Sequence, residues 1–269
     1  MSVVVVVGTR PEIIKMSPIV KELEKRGTDF VFIHTGQHYD YEMSRIFIDQ
    51  LELPKPHESF MLENSNPAAQ IGEMMIKLEK ALEKYGGRRL KVMLIQGDTN
   101  SMLAAGLTAL KLGIRIGHVE AGLRSYDWRM PEEHNRRMID HVSHHLFAPT
   151  EIAKKNLLEE NVLGEIFVTG NTVIDAVDMY FDKVREMEDR VLSELKFEEY
   201  ILATFHRAEN VDNPHVLRDF VRILKKSPMP VVYPIHPRTR KKLQEFGLWN
   251  QVEEITHLQI LPPQGTSSS

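Results

Sequence analysis

Short apolar segments alternate with longer amphipathic segments along most of this chain. Residues 3–7 are all valine, and the segment that follows places Ile13, Met16 and Val20 on one face of a helix. A strand that is apolar at every position is buried on both faces, which is typical of a parallel sheet covered by helices. The pattern therefore predicts an α/β fold.

The first part of the chain contains enough strands for a complete doubly wound domain. The predicted strands cover residues 3–7, 30–33, 92–95, 115–119, 145–147 and 166–169. The predicted helices between them include residues 41–51, 67–84, 101–112, 131–142 and 151–159. We assign residues 1–171 to an N-terminal Rossmann-like domain.

A helix predicted over residues 172–196 connects this domain to a second α/β segment. Strands at 201–204, 231–235 and 255–261 alternate there with helices at 214–226 and 238–246. Three strands are half of a doubly wound unit, so residues 197–263 predict a partial C-terminal Rossmann-like domain. Residues 264–269 form a low-complexity tail, and we expect the chain to be shortened at this end.

Composition excludes several classes of function. The chain has no cysteine, which rules out disulfides, thiol nucleophiles and zinc held by thiolates. Its formal net charge of −4 does not indicate a nucleic-acid-binding face. No segment is apolar for the roughly 18 residues of a membrane span, so we expect a cytoplasmic protein with no membrane partner.

Polar residues follow the predicted strands, at the sheet edge where parallel α/β proteins bind ligands. Gly8 leads into a helix N-terminus, where free N–H groups together with Arg10 and Lys15 favour a phosphate. An ordinary strand-to-helix turn with Pro11 at the first helical position explains the same residues. No G-x-G-x-x-G or Gly-Lys-Ser/Thr phosphate loop is present, so NAD and ATP are not indicated.

Two further strand ends carry carboxylates. Asp98 either caps the following helix or acts in a site, and the sequence leaves both readings open. Glu120 directly follows a buried strand, where a carboxylate is costly unless it is paired or functional. We favour a functional role for Glu120, with Arg124 as its expected partner.

The segment after residue 130 adds acidic residues and histidines. Glu132 and Glu133 lie in the first turn of a predicted helix, where the helix dipole already explains them. Four histidines cluster nearby, but a metal site is less favoured than ordinary surface positions because H-E-x-x-H is absent. The histidines are His134, His141, His144 and His145.

Histidines also follow predicted strands elsewhere in the chain. His38 follows the second strand and is either a ligand contact or a loop residue. In the second α/β segment, His206 and Arg207 follow one strand and His236 follows the next. This arrangement predicts a ligand cleft between two domains.

Together these segments resemble the non-hydrolysing UDP-N-acetylglucosamine 2-epimerases. The matching motifs occur in family order and cover the chain to about residue 263. They are G-T-R-P-E-x-x-K at 8–15, T-G-Q-H at 35–38, G-D-T at 97–99, H-V-E-A-G-L-R at 118–124, P-E-E-x-N-R at 131–136, T-G-N-T at 169–172, x-F-H-R-x-E-N at 204–210 and P-x-H-P at 234–237.

The resemblance implies two Rossmann-like domains of glycosyltransferase-B type, a homodimer, and interconversion of UDP-GlcNAc and UDP-ManNAc through 2-acetamidoglucal. It implies no metal and no nicotinamide cofactor. The catalytic positions it implies are Asp98, Glu120, Glu132 and His206. The substrate-binding positions are Arg10, Lys15, His38, Arg136, Arg207 and His236.

The chain departs from the family pattern at its C-terminal end. The family's Ser-Gly-Gly stretch and downstream glutamates, where the nucleotide binds, are absent from these 269 residues. Two alternatives to the epimerase therefore remain. One is a non-catalytic sugar-nucleotide-binding module, and the other is a glycosyltransferase of the same fold.

Overall fold

The chain divides into two units whose boundary lies inside a helix. A computed structural model of the chain describes residues 3–36, 47–64 and 66–262. The units are Met1–Phe181 and Asp182–Ser269. The candidate His38, most of the helix expected over 41–51 and the tail at 264–269 lie outside the described residues.

Seven parallel strands form the sheet of the first unit. They are β1 (Val3–Val7), β2 (Phe30–His34), β3 (Glu58–Ser59), β4 (Val92–Gln96), β5 (Arg115–Val119), β6 (His145–Ala148) and β7 (Glu165–Val168). Their order is β3-β2-β1-β4-β5-β6-β7, and all pairs are parallel. The order reverses between β1 and β4, so their carboxyl ends flank the crevice where doubly wound sheets bind ligands.

Helices connect the strands of this sheet. They are α1 (Arg10–Lys25), α2 (Pro67–Lys84), α3 (Asn100–Leu112), α4 (Pro131–Val142), α5 (Glu151–Glu159) and α6 (Thr172–Ser193). Proline at the first turn starts α1, α2 and α4, and Gly113 ends α3 in the left-handed region at φ 71°. The division between the two units falls inside α6.

Both faces of β1 are covered, as the run of valines predicts. Val4 and Val6 pack with residues of α2 and α3, including Met74. Val5 and Val7 pack on the opposite side with residues of α1, including Ile13. Alternate residues of a strand face opposite sides of the sheet. The valines at 4–7 are all fully buried, so this strand lies between two apolar layers.

The second unit contains a smaller parallel sheet of three strands. They are β8 (Ile201–Leu202), β9 (Val231–Pro234) and β10 (Leu258–Leu261), in the order β10-β9-β8. The helices are α7 (Ala208–Val211), α8 (Pro214–Lys225), α9 (Pro237–Glu245) and α10 (Trp249–Glu253). Leu217 and Tyr233 anchor its apolar core.

The described part of the chain was also searched for membrane spans. Within residues 3–36, 47–64 and 66–262, no helix combines the length and the apolar character needed to cross a membrane.

Two glycines allow a controlled test of the packing after β5. Gly122 and Gly170 both have φ of 81°, but a Cβ added at Gly122 would lie 2.3 Å from the carbonyl oxygen of Ala153, whereas Gly170 has open space. Left-handed strain costs each alanine variant about 1–2 kcal/mol. We expect Gly122→Ala to lower the free energy of unfolding by a further 1–3 kcal/mol or so, because the backbone has to move. Urea unfolding measures the difference, and equal destabilisation of the two variants would contradict this account.

Candidate active site at the carboxyl edge of the first sheet

Three strand ends meet in close contact at the reversal of strand order. A Cβ at Gly8, after β1, would lie 2.3 Å from Ser101 Oγ and 2.4 Å from Thr35 Oγ1. These two hydroxyls lie 2.7 Å apart and hydrogen bond to each other. Only glycine therefore fits at position 8, and the turns after β1, β2 and β4 are held together.

Glu12 connects the turn after β1 to the turn after β4. Its buried carboxylate accepts from the backbone N–H of Gly8 at 2.6 Å and of Thr9 at 2.8 Å, and from Thr99 Oγ1 at 2.5 Å. Burial raises the pKa of Glu12 to about 7, against the hydrogen bonds from Thr99, Gly8 and Thr9 that lower it. The sequence reading missed Glu12, although threonine followed three residues later by glutamate is a capping-box signal.

Glu120 follows β5 in a strained backbone conformation and is held by three side chains. Its φ is 69°, which is unusual for a residue other than glycine. Lys15 Nζ lies 2.7 Å from Oε2 and 2.9 Å from Oε1, and Asn171 Nδ2 donates to Oε1 at 3.2 Å. Gln96 Nε2 donates to Oε2. The Glu120 side chain is only 10% exposed, and the positive charge of Lys15 compensates its negative charge.

The expected pairing of Glu120 with Arg124 is wrong. The Arg124 side chain is fully buried and lies 2.8 Å from Asp140 Oδ2, and it donates to both oxygens of Glu160 at 2.8 and 2.6 Å. The chain turns at Gly122, so Arg124 contacts α4 and the end of α5, whereas Glu120 contacts α1. The side chain that neutralises Glu120 is Lys15, which sequence reasoning had placed in a phosphate site.

Asp98 is paired rather than used as a helix cap. Arg136 of α4 donates to Asp98 Oδ2 through Nε at 3.0 Å and through Nη2. The cap of α3 is Thr99, whose side chain accepts from the backbone N–H of Met102. Asn135 Nδ2 donates to the Asp98 carbonyl at 2.9 Å, which adds a second link to α4. The sequence left two interpretations open for Asp98, a helix cap or a role in a site, and the structure does not support the helix cap.

The two adjacent glutamates of α4 have different environments. Glu133 is buried and accepts from the Ser125 backbone N–H at 2.9 Å and from Arg137 Nε at 3.0 Å. Burial raises its pKa, but hydrogen bonds from Ser125 and Arg137 and the charge of Arg136 lower the pKa to about 2. Glu132 is exposed, and among the described residues no hydrogen bond or ion pair holds its carboxylate.

Arg10 lies at the start of α1, beside the same edge of the sheet. Its guanidinium carbon lies 5.1 Å from the centre of the Phe47 ring. Arg10 and Lys15 belong to α1, which follows β1, and Arg136 belongs to α4. Lys15 and Arg136 each contact a candidate carboxylate directly.

In the second unit, the candidate histidines after β8 and β9 are neighbours. The rings of His206 and His236 lie 6.0 Å apart and are inclined by 30°. His236 begins α9 and accepts from the Arg238 backbone N–H. Burial and the nearby His206 and Arg238 lower the pKa of His236. Arg207 is exposed, and its Nη1 lies 4.0 Å from Glu209 Oε1.

The four clustered histidines do not converge. His134 packs on Trp128, His144 accepts from the Ile116 backbone N–H, and His145 lies 3.9 Å from Glu165. Within the part of the chain that the structure describes, no group of three or more histidine, aspartate or glutamate side chains could hold a metal ion.

The fold and this edge define an α/β protein with ion-paired carboxylates at the strand-order reversal, suited to an anionic ligand and to proton transfer. The chain belongs to the UDP-N-acetylglucosamine 2-epimerase family, whose model matches residues 21–269. This is a family of isomerases, and the membership confirms the resemblance seen in the sequence.

Individual relatives support the same assignment. A UDP-N-acetylglucosamine 2-epimerase of Methanococcus maripaludis is 45% identical over 97% of this chain and 72% of its own length. A UDP-2,3-diacetamido-2,3-dideoxy-D-glucuronate 2-epimerase of Pseudomonas aeruginosa is 37% identical over 95% of this chain and 72% of its own.

A solved structure confirms the fold. The UDP-GlcNAc 2-epimerase of Methanocaldococcus jannaschii, crystallised with UDP-GlcNAc and UDP, is 43% identical and superposes with a TM-score of 0.85. The match covers 98% of this chain and 74% of that one. The expected glycosyltransferase-B-type α/β fold is therefore confirmed.

The raised pKa of Glu12 predicts a pH-dependent stability. Its folded pKa of about 7 lies above the ordinary value of 4.5, so the folded state binds more protons between these values. The contribution of Glu12 to stability is therefore full below pH 4.5 and falls as the pH rises towards 7, by up to about 1.4 kcal/mol per pH unit.

We expect the difference in unfolding free energy between the wild type and Glu12→Gln to shrink from pH 5 to pH 7.5. Urea unfolding across this range measures it. Glu24→Gln, on the exposed face of α1, is the matched control. A difference that does not change with pH would disprove the shift.

Proposed function

We propose that this protein epimerises C2 of UDP-N-acetylglucosamine, giving UDP-N-acetylmannosamine reversibly. The observation that carries the proposal is the pairing of two carboxylates with two cations at the reversal of strand order. Glu120 is held by Lys15, and Asp98 is held by Arg136. Family membership supports a UDP-sugar as the substrate, and the pairs supply both acid–base groups and charges that suit a diphosphate.

The chemistry explains why both kinds of group are required. The C2 proton has no adjacent carbonyl to acidify it, so we propose elimination followed by addition. A carboxylate removes the C2 proton, the C1–C2 double bond forms, and the C1–O bond breaks with its electron pair going to UDP. The intermediate is 2-acetamidoglucal. Protonation of C2 from the opposite face and return of the UDP oxygen to C1 complete the reaction.

The residues divide into two proposed roles. Asp98, Glu120 and Glu132 provide the carboxylates of the first unit, and His206 is the catalytic candidate of the second. Cationic groups stabilise the departing diphosphate, since its charge grows as the C1–O bond breaks. The groups proposed to bind the substrate are Arg10, Lys15, His38, Arg136, Arg207 and His236.

The ion pairs suggest how substrate binding activates the carboxylates. A diphosphate competes with Asp98 for Arg136 and with Glu120 for Lys15, because phosphate oxygens bind the same donors. A carboxylate whose cation turns towards the phosphate loses a stabilising partner and becomes a stronger base. Binding of UDP-sugar thereby converts two structural ion pairs into a base and a charged leaving-group site.

The sugar itself has two candidates among the relatives. The 45% identical relative is named for UDP-N-acetylglucosamine, and the 37% identical one for a diacetamido glucuronate. Both names describe epimerisation of a UDP-sugar at C2, and the higher identity favours UDP-N-acetylglucosamine. A homodimer, a cytoplasmic location and a role in polysaccharide biosynthesis are further proposals drawn from the family resemblance.

Proton NMR of UDP-N-acetylglucosamine incubated with the protein in deuterated water tests the function. We expect deuterium at C2 and growth of the UDP-N-acetylmannosamine signals. Asp98→Asn should lower kcat by roughly 100-fold or more, since general acid–base groups contribute this much. UDP binding, measured by calorimetry, should persist.

Asp219→Asn, which alters a surface ion pair with Arg222, is the matched control and should match the wild type. Near-normal turnover by Asp98→Asn would remove Asp98 from the mechanism. Absence of C2 exchange in the wild type, with UDP bound, would favour the binding-module alternative. Transfer of the sugar to an acceptor would favour a glycosyltransferase.

A second test concerns metal dependence. The proposed mechanism uses carboxylates and cationic side chains for every charge that develops, so EDTA should leave the rate of C2 exchange unchanged. The assay compares dialysed protein with and without chelator. A loss of exchange that added divalent metal restores would contradict the proposed mechanism.

A further inference from the structure

A closed circuit of polar contacts begins and ends at the turn that carries Asp98. His118 Nε2 lies 2.8 Å from the carbonyl oxygen of Gly97, the residue before Asp98. On its other side, His118 Nδ1 lies 2.7 Å from Asp140 Oδ1. The second oxygen of Asp140 lies 2.8 Å from Arg124 Nη1. The first half of the circuit therefore leads from the turn, through β5, to the loop that follows it.

Two arginines and two glutamates continue the circuit. Arg124 donates to both oxygens of Glu160, at 2.8 and 2.6 Å. Arg137 Nη1 donates to Glu160 Oε1 at 2.6 Å, and its Nε donates to Glu133 Oε1 at 3.0 Å. Each side chain here contacts two others of opposite charge.

Arg136 closes the circuit at Asp98. Its Nη1 lies 3.2 Å from Glu133 Oε2, and its Nε donates to Asp98 Oδ2 at 3.0 Å. None of the eight side chains is more than 28% exposed. We call this set the Asp98 ring. Its members, in order, are His118, Asp140, Arg124, Glu160, Arg137, Glu133, Arg136 and Asp98.

The geometry at His118 favours protons on both ring nitrogens. Both of its nitrogens face oxygen acceptors, one a carboxylate and the other a carbonyl, and a neutral imidazole can donate from only one nitrogen. Asp140 is surrounded by donors, since Arg124 and the Gly122 backbone N–H (3.2 Å) both reach Oδ2. These donors favour the ionised carboxylate, so the shared proton belongs to His118.

The charge balance of the ring gives the same answer. With an imidazolium at His118, four cations alternate with four carboxylates around the circuit. With a neutral imidazole, one negative charge in a largely buried network has no counter-charge, which is costly. Hydrogen-bond direction and charge balance therefore agree on the protonation state.

We propose that His118 is a doubly protonated positioning residue that fixes Asp98 relative to Glu120 and to α4. It belongs to β5 and lies two residues before Glu120. It holds the turn of Asp98 through Gly97 and holds α4 through Asp140. A single imidazolium thus connects the three segments that carry the candidate carboxylates. The catalytic consequence rests on the proposed function of Asp98, whereas the protonation state does not.

Two substitutions separate the two contacts of His118. Glutamine can place an N–H donor near the position of Nε2 and keep the bond to Gly97, whereas asparagine places its donor near Nδ1 and loses that bond. A 1 Å displacement of a reacting group costs on the order of 100-fold in rate. We expect His118→Asn to lower kcat for C2 exchange by about 10- to 100-fold with little change in KM. We expect His118→Gln to recover part of this loss.

His215→Asn, at an exposed histidine of α8, is the matched control and should keep the wild-type kcat. Glu160→Gln breaks the Asp98 ring at a partly exposed side chain, which is 18% exposed. This variant provides a second test if the His118 variants do not fold. It should lower kcat by about two-fold or more, because the residues of a coupled network affect one another's positions. Wild-type kcat in His118→Asn, or in Glu160→Gln, would overturn the positioning role.

Nitrogen-15 NMR of the histidine rings tests the protonation state without any assay of activity. At pH 8 an ordinary histidine, with a pKa of about 6.5, is neutral. We expect one histidine of the wild type to show both ring nitrogens protonated at this pH, and this signal to vanish in His118→Gln. A neutral tautomer at His118 would overturn the proposal. If the imidazolium signal is present but the wild type shows no C2 exchange, the proposed function is wrong and the protonation state proposed for His118 is supported.

Discussion

Buried charge must be compensated, and this constraint shapes the carboxyl edge of the first sheet. Parallel strands bring all their carboxyl ends to one edge, and apolar layers cover both faces of the sheet. Polar side chains therefore concentrate where the strands end. There Glu12 is held by backbone and hydroxyl donors, Glu120 by Lys15, and Asp98 by Arg136. The turns are fixed by these contacts, and the same contacts place the groups proposed to react.

Such ion pairs determine geometry more than they add stability. Removing two charges from water offsets much of their mutual attraction, so a buried pair contributes little net free energy. Breaking one, however, leaves an uncompensated charge and favours rearrangement of the whole turn. The backbone of Glu120, at φ 69°, shows that the surrounding contacts impose a conformation that the residue alone would avoid. Preorganisation of this kind is what the proposed elimination through a charged transition state requires.

The sequence predicts the fold better than it predicts the partners within the site. Helices Pro67–Lys84 and Pro131–Val142 agree with the prediction to the residue, because proline starts both of them. In the first helix an apolar stripe also continues through its length. Strand Glu58–Ser59 was missed, since two polar residues carry no apolar pattern. Asp98 and Glu120 could be selected because they follow buried strands. The partner of Glu120 could not be predicted from the sequence, because the choice of partner depends on the direction in which the chain turns at Gly122.

The acidic residues at this edge of the sheet also differ in their pKa values and in their exposure. Glu133 has a pKa of about 2 and is enclosed by Ser125 and arginine donors, so it stays ionised. Its carboxylate therefore remains a member of the Asp98 ring. Glu12 titrates near neutral pH, but three donors enclose its oxygens and leave no approach for a sugar. Glu132 is exposed on the neighbouring helical position, about 100° around the helix from Glu133. In the proposed mechanism, proton exchange with the ligand is therefore assigned to Glu132, Asp98 and Glu120.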